Sequence, residues 1–587
     1  SQETYPQHPK GNPSDERRCP MAFPIFFILL IFTNPEPIYE LDTIYITAAR
    51  YKVDLLHVPF SITILPKGEI SLAERLLKNS GINLLDYGNL TTISLKGPSS
   101  RSTAIALNGI PLNSPQSGDF DISLLPSYFI DDGYIASSNL AGIHTFGNLG
   151  NTVAFYTKEK ERSIILKRGS FGKIAAGGIW TLFSNTAGFY IEDNKNRFPY
   201  KDEFNNISYR ENAHYQHGAG YWTSTLPFAI NLFATFRDAD VPEKLGSIAG
   251  QPHKNEKAVI GSLSYDTQSI RFGGSGNFYR LDYSDTIFGQ DRHQALSTAL
   301  DLSFKSQNRN IAFYLEKEAV SSTKIGSHSR DIIGIDFFQQ HKIKLLTATP
   351  SAKMTLTSDR LFGLSILLPG LYFIKENLGI YHNLSFGYRY PTMNELYWPE
   401  DNFSVGNPNL KSEKEITVES GFRYIAAYFL KGELFFKFGR DIITWMPGGD
   451  GKWRPVNSAH FRAWGTDLCG FFEKPLKSSF GFSFFWARND GSVLPYRPCI
   501  NIVLNIEKSN FFGETIIMLR RPANPSGVSF LEDIYLLNLG YHWNQRIINR
   551  SCFIDLRLKN ILDKNYQFVE GYPLPGRQYE ITFKINL

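Results

Sequence analysis

Chemistry-bearing side chains in this sequence do not fall into the patterns that catalysis requires. The 587 residues contain no His-Glu-x-x-His, no Gly-x-Ser-x-Gly and no comparable nucleophile motif, so no catalytic set is expected and the chain does not read as an enzyme. Gly147-Asn-Leu-Gly150 and Gly273-Gly-Ser-Gly276 lack the strand–turn–helix setting of a phosphate loop and read as turn or strand glycines. Cys19, Cys469, Cys499 and Cys552 have no Cys-x-x-Cys spacing and are too few for a disulfide framework. Asp193, Asp202, Glu203 and Glu211 could gather a calcium ion, but calcium takes six to eight oxygens and these four show no loop motif. Solvated charge is the favoured reading, and neither a resident metal nor a cofactor is expected. What remains is recognition chemistry. Tyr397, Trp398, Trp445 and Trp453 are flat apolar surfaces suited to a large ligand or, equally, to a membrane interface.

The elements that must position these residues are β-rich. Forty-six Phe, 30 Tyr and 8 Trp make 14% of the chain aromatic, with 20% charged, which is the opposite of a disordered composition. Sixty-one basic and 56 acidic residues leave +5, with no concentrated basic face for nucleic acid. Residues 1–41 are a polar stretch followed by the uncharged run 22–32. That run is too short to span a bilayer as a helix and fits the apolar region of an export signal. Residues 42–158 read as mixed α/β. Thr43–Thr47 alternates, Ser71-Leu-Ala-Glu74 is a capping box, and Leu72, Leu76 and Leu77 form a helical stripe with Gly81 as its stop. Asn108-Gly109 supplies a tight hairpin turn. From 159 to 587 alternating segments recur without helical periodicity, as in Ala229–Phe236, Gly432–Phe438 and Tyr579–Ile585. Apolar-out, polar-in strands of about 10 residues with aromatic girdles describe a transmembrane β-barrel, here of about 22 antiparallel strands around an N-terminal α/β plug.

Several segments resemble the TonB-dependent outer-membrane receptors, in the family's order. Asp42, Thr43, Ile44, Tyr45, Ile46, Thr47 and Ala48 resemble the TonB box, most closely that of cobalamin receptors. Ile93–Gly97 with Ala104–Asn113 is similar to the plug hairpin, and Arg168–Gly172 to the opening of the first barrel strand. Tyr388–Pro391, Asn394–Tyr397 and Asn407–Leu410 resemble the paired central boxes; Trp453–Asn457 with Gly465–Leu468, and Lys559–Tyr566 with Gly571-Tyr572 and Pro575–Arg577, resemble later hairpins. Phe129–Tyr134 and Leu149–Val153 depart from the family's plug ending, which puts its Arg–Glu seating contacts in question, and Leu587 stands where an aromatic residue is common.

The resemblance implies a receptor in the bacterial outer membrane that imports a scarce metal chelate, cobalamin first and a ferric siderophore second. The alternative is a passive barrel with a degenerate plug. A haem reading is weakened because 392–406 holds no histidine. Implied partners are a TonB-type inner-membrane energy-coupling protein, outer-membrane lipid and the small chelate, with no nucleic acid. An extended box at 42–48 suits strand addition to such a partner's sheet edge. Ligand contacts are expected from plug apices at 98–101 and 113–117 and from outward loops at 194–211, 241–257, 391–407 and 446–455. The residues named for them are Ser99, Arg101, Asn113, Gln116, Tyr397, Trp398, Trp445 and Trp453.

Overall fold

The structure, a computed structural model, describes residues 58–136, 149, 151–202, 204–247, 250–547 and 550–587. The apolar run at 22–32 and the box at 42–48 lie outside the described residues.

Alternation decides the larger part of the fold. On Ala229–Asp240, Leu232 and Phe236 face out while Phe233, Thr235, Arg237 and Ala239 are buried inside. Ile311, Phe313 and Leu315 on Arg309–Ser322 face out in the same way. In water each such exposed side chain would forgo about 1.5–3 kcal/mol of burial; against hydrocarbon it loses nothing. The polar inward positions would be intolerable in a soluble core, yet they suit a lumen. Strands of this pattern pair with their sequence neighbours into a closed antiparallel barrel of 22 strands. The last, Gln578–Asn586, closes on the first, Ser163–Gly169, with Asn586 opposite Ser163. Closure leaves no unpaired edge in lipid.

Turns at one end are short (183–184, 376–377, 426–427, 509–510), whereas the other end carries loops as long as 195–214 and 390–412. The long-loop end is therefore the outer face. The loop expected at 446–455 is shorter than the sequence suggests. Strand Tyr428–Pro447 and strand Trp453–Phe472 leave only 448–452 between them, so Trp445 and Trp453 stand on strands.

Inside lies a five-stranded sheet in the order Ile62–Ile64, Ile130–Ala136, Asn151–Thr157, Thr103–Leu107, Ile110–Pro111, with a separate hairpin, Ile82–Asp86 and Thr91–Leu95. Asn108 (φ 50) and Gly109 (φ 82) both take the left-handed conformation the tight turn demands. Helix α1 (Leu72–Leu77) starts at Ser71, whose Oγ accepts the Glu74 amide at 3.3 Å. The reciprocal half of the expected capping box does not form, because the Glu74 carboxylate instead accepts Lys559 Nζ of the barrel at 2.6 Å. The helix also ends at Leu77, before Gly81. The plug's apolar core (Leu72, Leu76, Ile105, Phe129) runs without a break into wall residues Tyr221, Phe233 and Ile516.

Candidate functional site

At the outer end one long wall loop folds over the plug. Residues 390–412 carry a short helix, α2 (Met393–Tyr397), whose start is a complete capping box: Thr392 Oγ1 accepts the Glu395 amide at 3.2 Å and Glu395 Oε2 accepts the Thr392 amide at 2.8 Å. The Thr-x-x-Glu spacing was available in the sequence as the signal for this element. The Glu395 carboxylate is shared. It accepts Arg101 Nη1 of the plug at 2.6 Å and both Nη atoms of Arg389, which in turn grips Glu413 at 2.7 Å. Burial would raise the Glu395 carboxyl, but the guanidinium groups of Arg389 and Arg101 override it and hold it at about 2. Backbone bonds complete the clasp, with the amides of Met393 and Asn394 donating to the carbonyls of Pro115 and Gln116 at 3.0 Å each. Gly118 (φ +82) permits this approach, since a Cβ there would meet Thr392 Cγ2 at 2.9 Å.

The eight expected contact residues divide into three groups. Arg101 and Gln116 come together under α2, Gln116 Nε2 lying 2.9 Å from Nδ1 of His293 on the wall. Asn113 is occupied within the plug, accepting the Ile105 amide at 2.8 Å and donating to the carbonyls of Thr103 and Gly118. Ser99 likewise turns inward, its Oγ 3.4 Å from Ser102 Oγ. Tyr397 stacks flat on His328 with ring centres 3.7 Å apart, and Trp398 Nε1 donates to Asp401 at 3.2 Å. The Trp453 amide and carbonyl bond to Phe403 and Val405 of the same loop, while Trp445 stands opposite Pro455 in the neighbouring strand. Of the acidic quartet, Asp193 pairs with His214, Glu211 with Arg197, and Asp202 caps its own turn; Glu203 is outside the described residues. Among the described residues no group of three or more His, Cys, Asp or Glu is placed to hold a metal ion.

Space decides what this clasp can hold. Beneath α2, between Arg101, Asn113, Glu316, Glu318 and Arg330, lies a cavity of about 90 Å³. Ligand sites for drug-sized molecules are about 300–1,000 Å³, so this cavity by itself is too small for a chelate. The sequence reading missed a second apex, the hairpin tip Tyr87–Leu90. Tyr87 meets Tyr572 edge-on at 5.2 Å, and the Arg210 guanidinium lies 5.7 Å from the Tyr572 ring. Burial lifts the Tyr87 phenol to about 12, with Asp119 adding to it, and lowers the Arg210 guanidinium. Nearby, Arg497 of loop 494–499 donates to Ser94 Oγ and covers the Phe485 ring at 4.5 Å; burial alone drops it to about 9. Aromatic faces beside under-neutralised guanidinium groups suit a flat, anionic guest.

The plug is also tied to the wall below the apex, by residues outside the segment whose family contacts were in question. Lys96 bridges Glu433 and Asp467 at 2.5 Å each, Lys158 and Lys584 share Glu69, and Arg237 joins Asp121 to Glu256. A very large barrel closed by a folded domain, clasped outside and ion-paired within, defines the class of plugged outer-membrane receptors. The sequence profile described as "TonB dependent receptor-like, beta-barrel" matches residues 136–506, and the chain belongs to that family. Over 607 aligned positions it is 20% identical to the vitamin B12 transporter BtuB of Photobacterium profundum, covering 92% of this chain and 95% of that one. BtuB of Vibrio vulnificus is 21% identical over 75% of this chain and 77% of its own length. Among solved structures, the siderophore receptor PirA from Acinetobacter baumannii superposes with a TM-score of 0.70 at 11% identity, over 90% of this chain and 98% of that one. The copper transporter OprC gives 0.70 at 14%, over 90% and 97%. The protein is a TonB-dependent receptor of the bacterial outer membrane.

Proposed function

We propose that the protein binds a scarce metal chelate at its outer face and imports it with energy supplied by a TonB-type inner-membrane partner, cobalamin being the first candidate and a ferric siderophore the second. The observation that carries active import is the sealed lumen. Ion pairs from Lys96, Arg101 and Arg237 hold the plug to the wall at separate points, and the cavity beneath α2 is about 90 Å³. A passive barrel has no need of such closure. Cobalamin is favoured because similarity to the vitamin B12 transporters runs over nearly the whole chain. Arg101, Gln116, Tyr397, Trp398 and Trp453 then act through α2 and its loop, and the half-buried rings of Tyr87 and Tyr572, beside the buried Arg210, offer a second contact surface.

The test is a binding screen of the purified full chain against cyanocobalamin, haemin and ferric enterobactin. Binding of cyanocobalamin alone supports the first reading, and binding of ferric enterobactin alone transfers the function to siderophore uptake. Binding of none of the three sinks both in favour of the passive barrel.

A further inference from the structure

On the outward face of four consecutive strands, just above the apolar band, four basic residues form two cross-strand pairs offset along the strands. They are Lys414 on Glu413–Ile425, Arg440 on Tyr428–Pro447, Arg462 on Trp453–Phe472 and Arg488 on Lys477–Asn489. Lys414 lies directly opposite Arg440, and Arg462 directly opposite Arg488. Side chains so placed have Cβ atoms about 5 Å apart, and like charges there repel. Among the described residues no ion pair relieves them: the nearby Asp490 pairs with His460, and Arg488 donates to the Gly491 carbonyl.

The same level on the other side of the barrel behaves differently. Lys257 and Arg280 are also direct partners, but there Asp282 takes both Arg280, at 2.7 Å, and Arg292, at 2.6 Å. There the arginine of the pair is compensated, whereas among the described residues no arginine of the ledge is. Directly below it the wall turns aromatic. Trp464 faces Trp486 across the strands, their ring centres 6.4 Å apart, Phe484 lies tilted 5.0 Å from Trp464, and Phe438 is exposed opposite Arg462. Tryptophans of this kind sit at headgroup depth, which places the four cations among lipid headgroups.

We propose that this ledge is a binding site for a phosphorylated lipid of the outer leaflet. Its phosphate lies across Arg462 and Arg488, with Lys414 and Arg440 beside it, and its acyl chains run down over Phe438, Trp464 and Trp486. Guanidinium groups meet phosphate through paired N–H donors, and the anion removes the repulsion that the bare protein carries. The site faces lipid and is independent of which chelate the lumen takes.

Native mass spectrometry of the full chain in detergent tests this with three probes: bisphosphorylated lipid A, the same lipid after phosphatase treatment, and inorganic phosphate. The expected result is a lipid A adduct that survives gas-phase activation, falls at least about tenfold without the phosphates, and falls equally in R462Q/R488Q. The variant K257Q/R280Q keeps the adduct. Heat-modifiable gel mobility confirms that each variant barrel is closed, and K414Q/R440Q replaces R462Q/R488Q if the latter does not close. Equal retention of dephosphorylated lipid, an unchanged adduct in the ledge variant, or inorganic phosphate displacing lipid A at equal concentration would each overturn the proposal. The last outcome would mark a site for free anions.

Discussion

Two carboxyls at the outer end respond to pH in opposite senses. Asp86, beneath the hairpin tip, is raised to about 6 by burial against an ordinary 3.8, although the Gly88 amide donates to it at 2.7 Å. The folded plug thus binds this proton more tightly than the unfolded chain. Its contribution to stability is full below about pH 4 and is lost as pH rises through about 6, a penalty of roughly 3 kcal/mol at neutral pH. Asp86→Asn keeps an oxygen for the Gly88 amide and removes the charge. Calorimetry of the variant should show the plug transition raised by several degrees at about pH 8 and unmoved at about pH 4; equal shifts at both would rule the mechanism out. Glu395 is the reverse case. Held at about 2 by Arg389 and Arg101 after burial is overcome, it stabilises the clasp above about pH 4.5 and loses that effect as pH falls toward 2. Glu395→Gln at neutral pH leaves the buried Arg389 guanidinium and the partly exposed Arg101 short of a partner. Breaking such a pair costs about 3–5 kcal/mol, so protease should cut the 390–412 loop faster than in the parent protein. An unchanged cleavage rate would show that the backbone bonds alone hold α2 down.

The elements were legible in the sequence to different depths. Period-two alternation marks the barrel because most of its long strands obey it, and Asn108-Gly109 gives the plug turn because its φ angles are local. Helix α2 was equally local in Thr392-x-x-Glu395 yet easily passed over, since five residues give no apolar stripe. What the sequence could not show is which partner a charged residue finds across the lumen. Glu74, three residues after a Ser cap, promised a local bond and instead reaches Lys559, 485 positions away. The same non-local logic governs the first described plug segment. Arg423 donates to the carbonyls of Val58 and Phe60, while Lys431 donates to Ser61 Oγ at 2.9 Å and to the Ile62 carbonyl at 3.0 Å. Methionine at both wall positions removes these donors and keeps most of the side-chain length. Hydrogen exchange over 58–64 should rise at least about tenfold, since several hydrogen bonds to charged donors are lost at about 1.5 kcal/mol or more each. Exchange in the barrel strands should not change; a rise there as well would mean that the substitutions had damaged the wall.

At the scale of the whole molecule the lumen is asymmetric. The cavity under α2 at the outer end is about 90 Å³, whereas about 1,070 Å³ lies between plug and wall toward the short-turn end. That lower space is bounded by Ser80, Lys96, Asp467 and Gly481 and reaches Lys584 and Asn586 near the chain end. A plug shifted by a pull on its N-terminal side would find room there before any barrel strand had to move. The segment on which a partner would pull, 42–48, precedes the Arg423–Lys431 grip by about ten residues, roughly 35 Å if extended. On the proposed reading, force applied at 42–48 would reach these hydrogen bonds first and the Glu69, Lys96 and Asp121 ion pairs afterwards. None of the outer contact residues lies on that path. Deleting 42–48 should consequently abolish energised uptake of whichever chelate the binding screen identifies, while leaving its Kd within about twofold of the parent value. Uptake by whole cells and equilibrium binding by the purified protein measure the two quantities separately. Retained uptake in the deletion strain would mean that the barrel passes its ligand without the pull, and loss of binding would mean that the box also holds the outer apex in place.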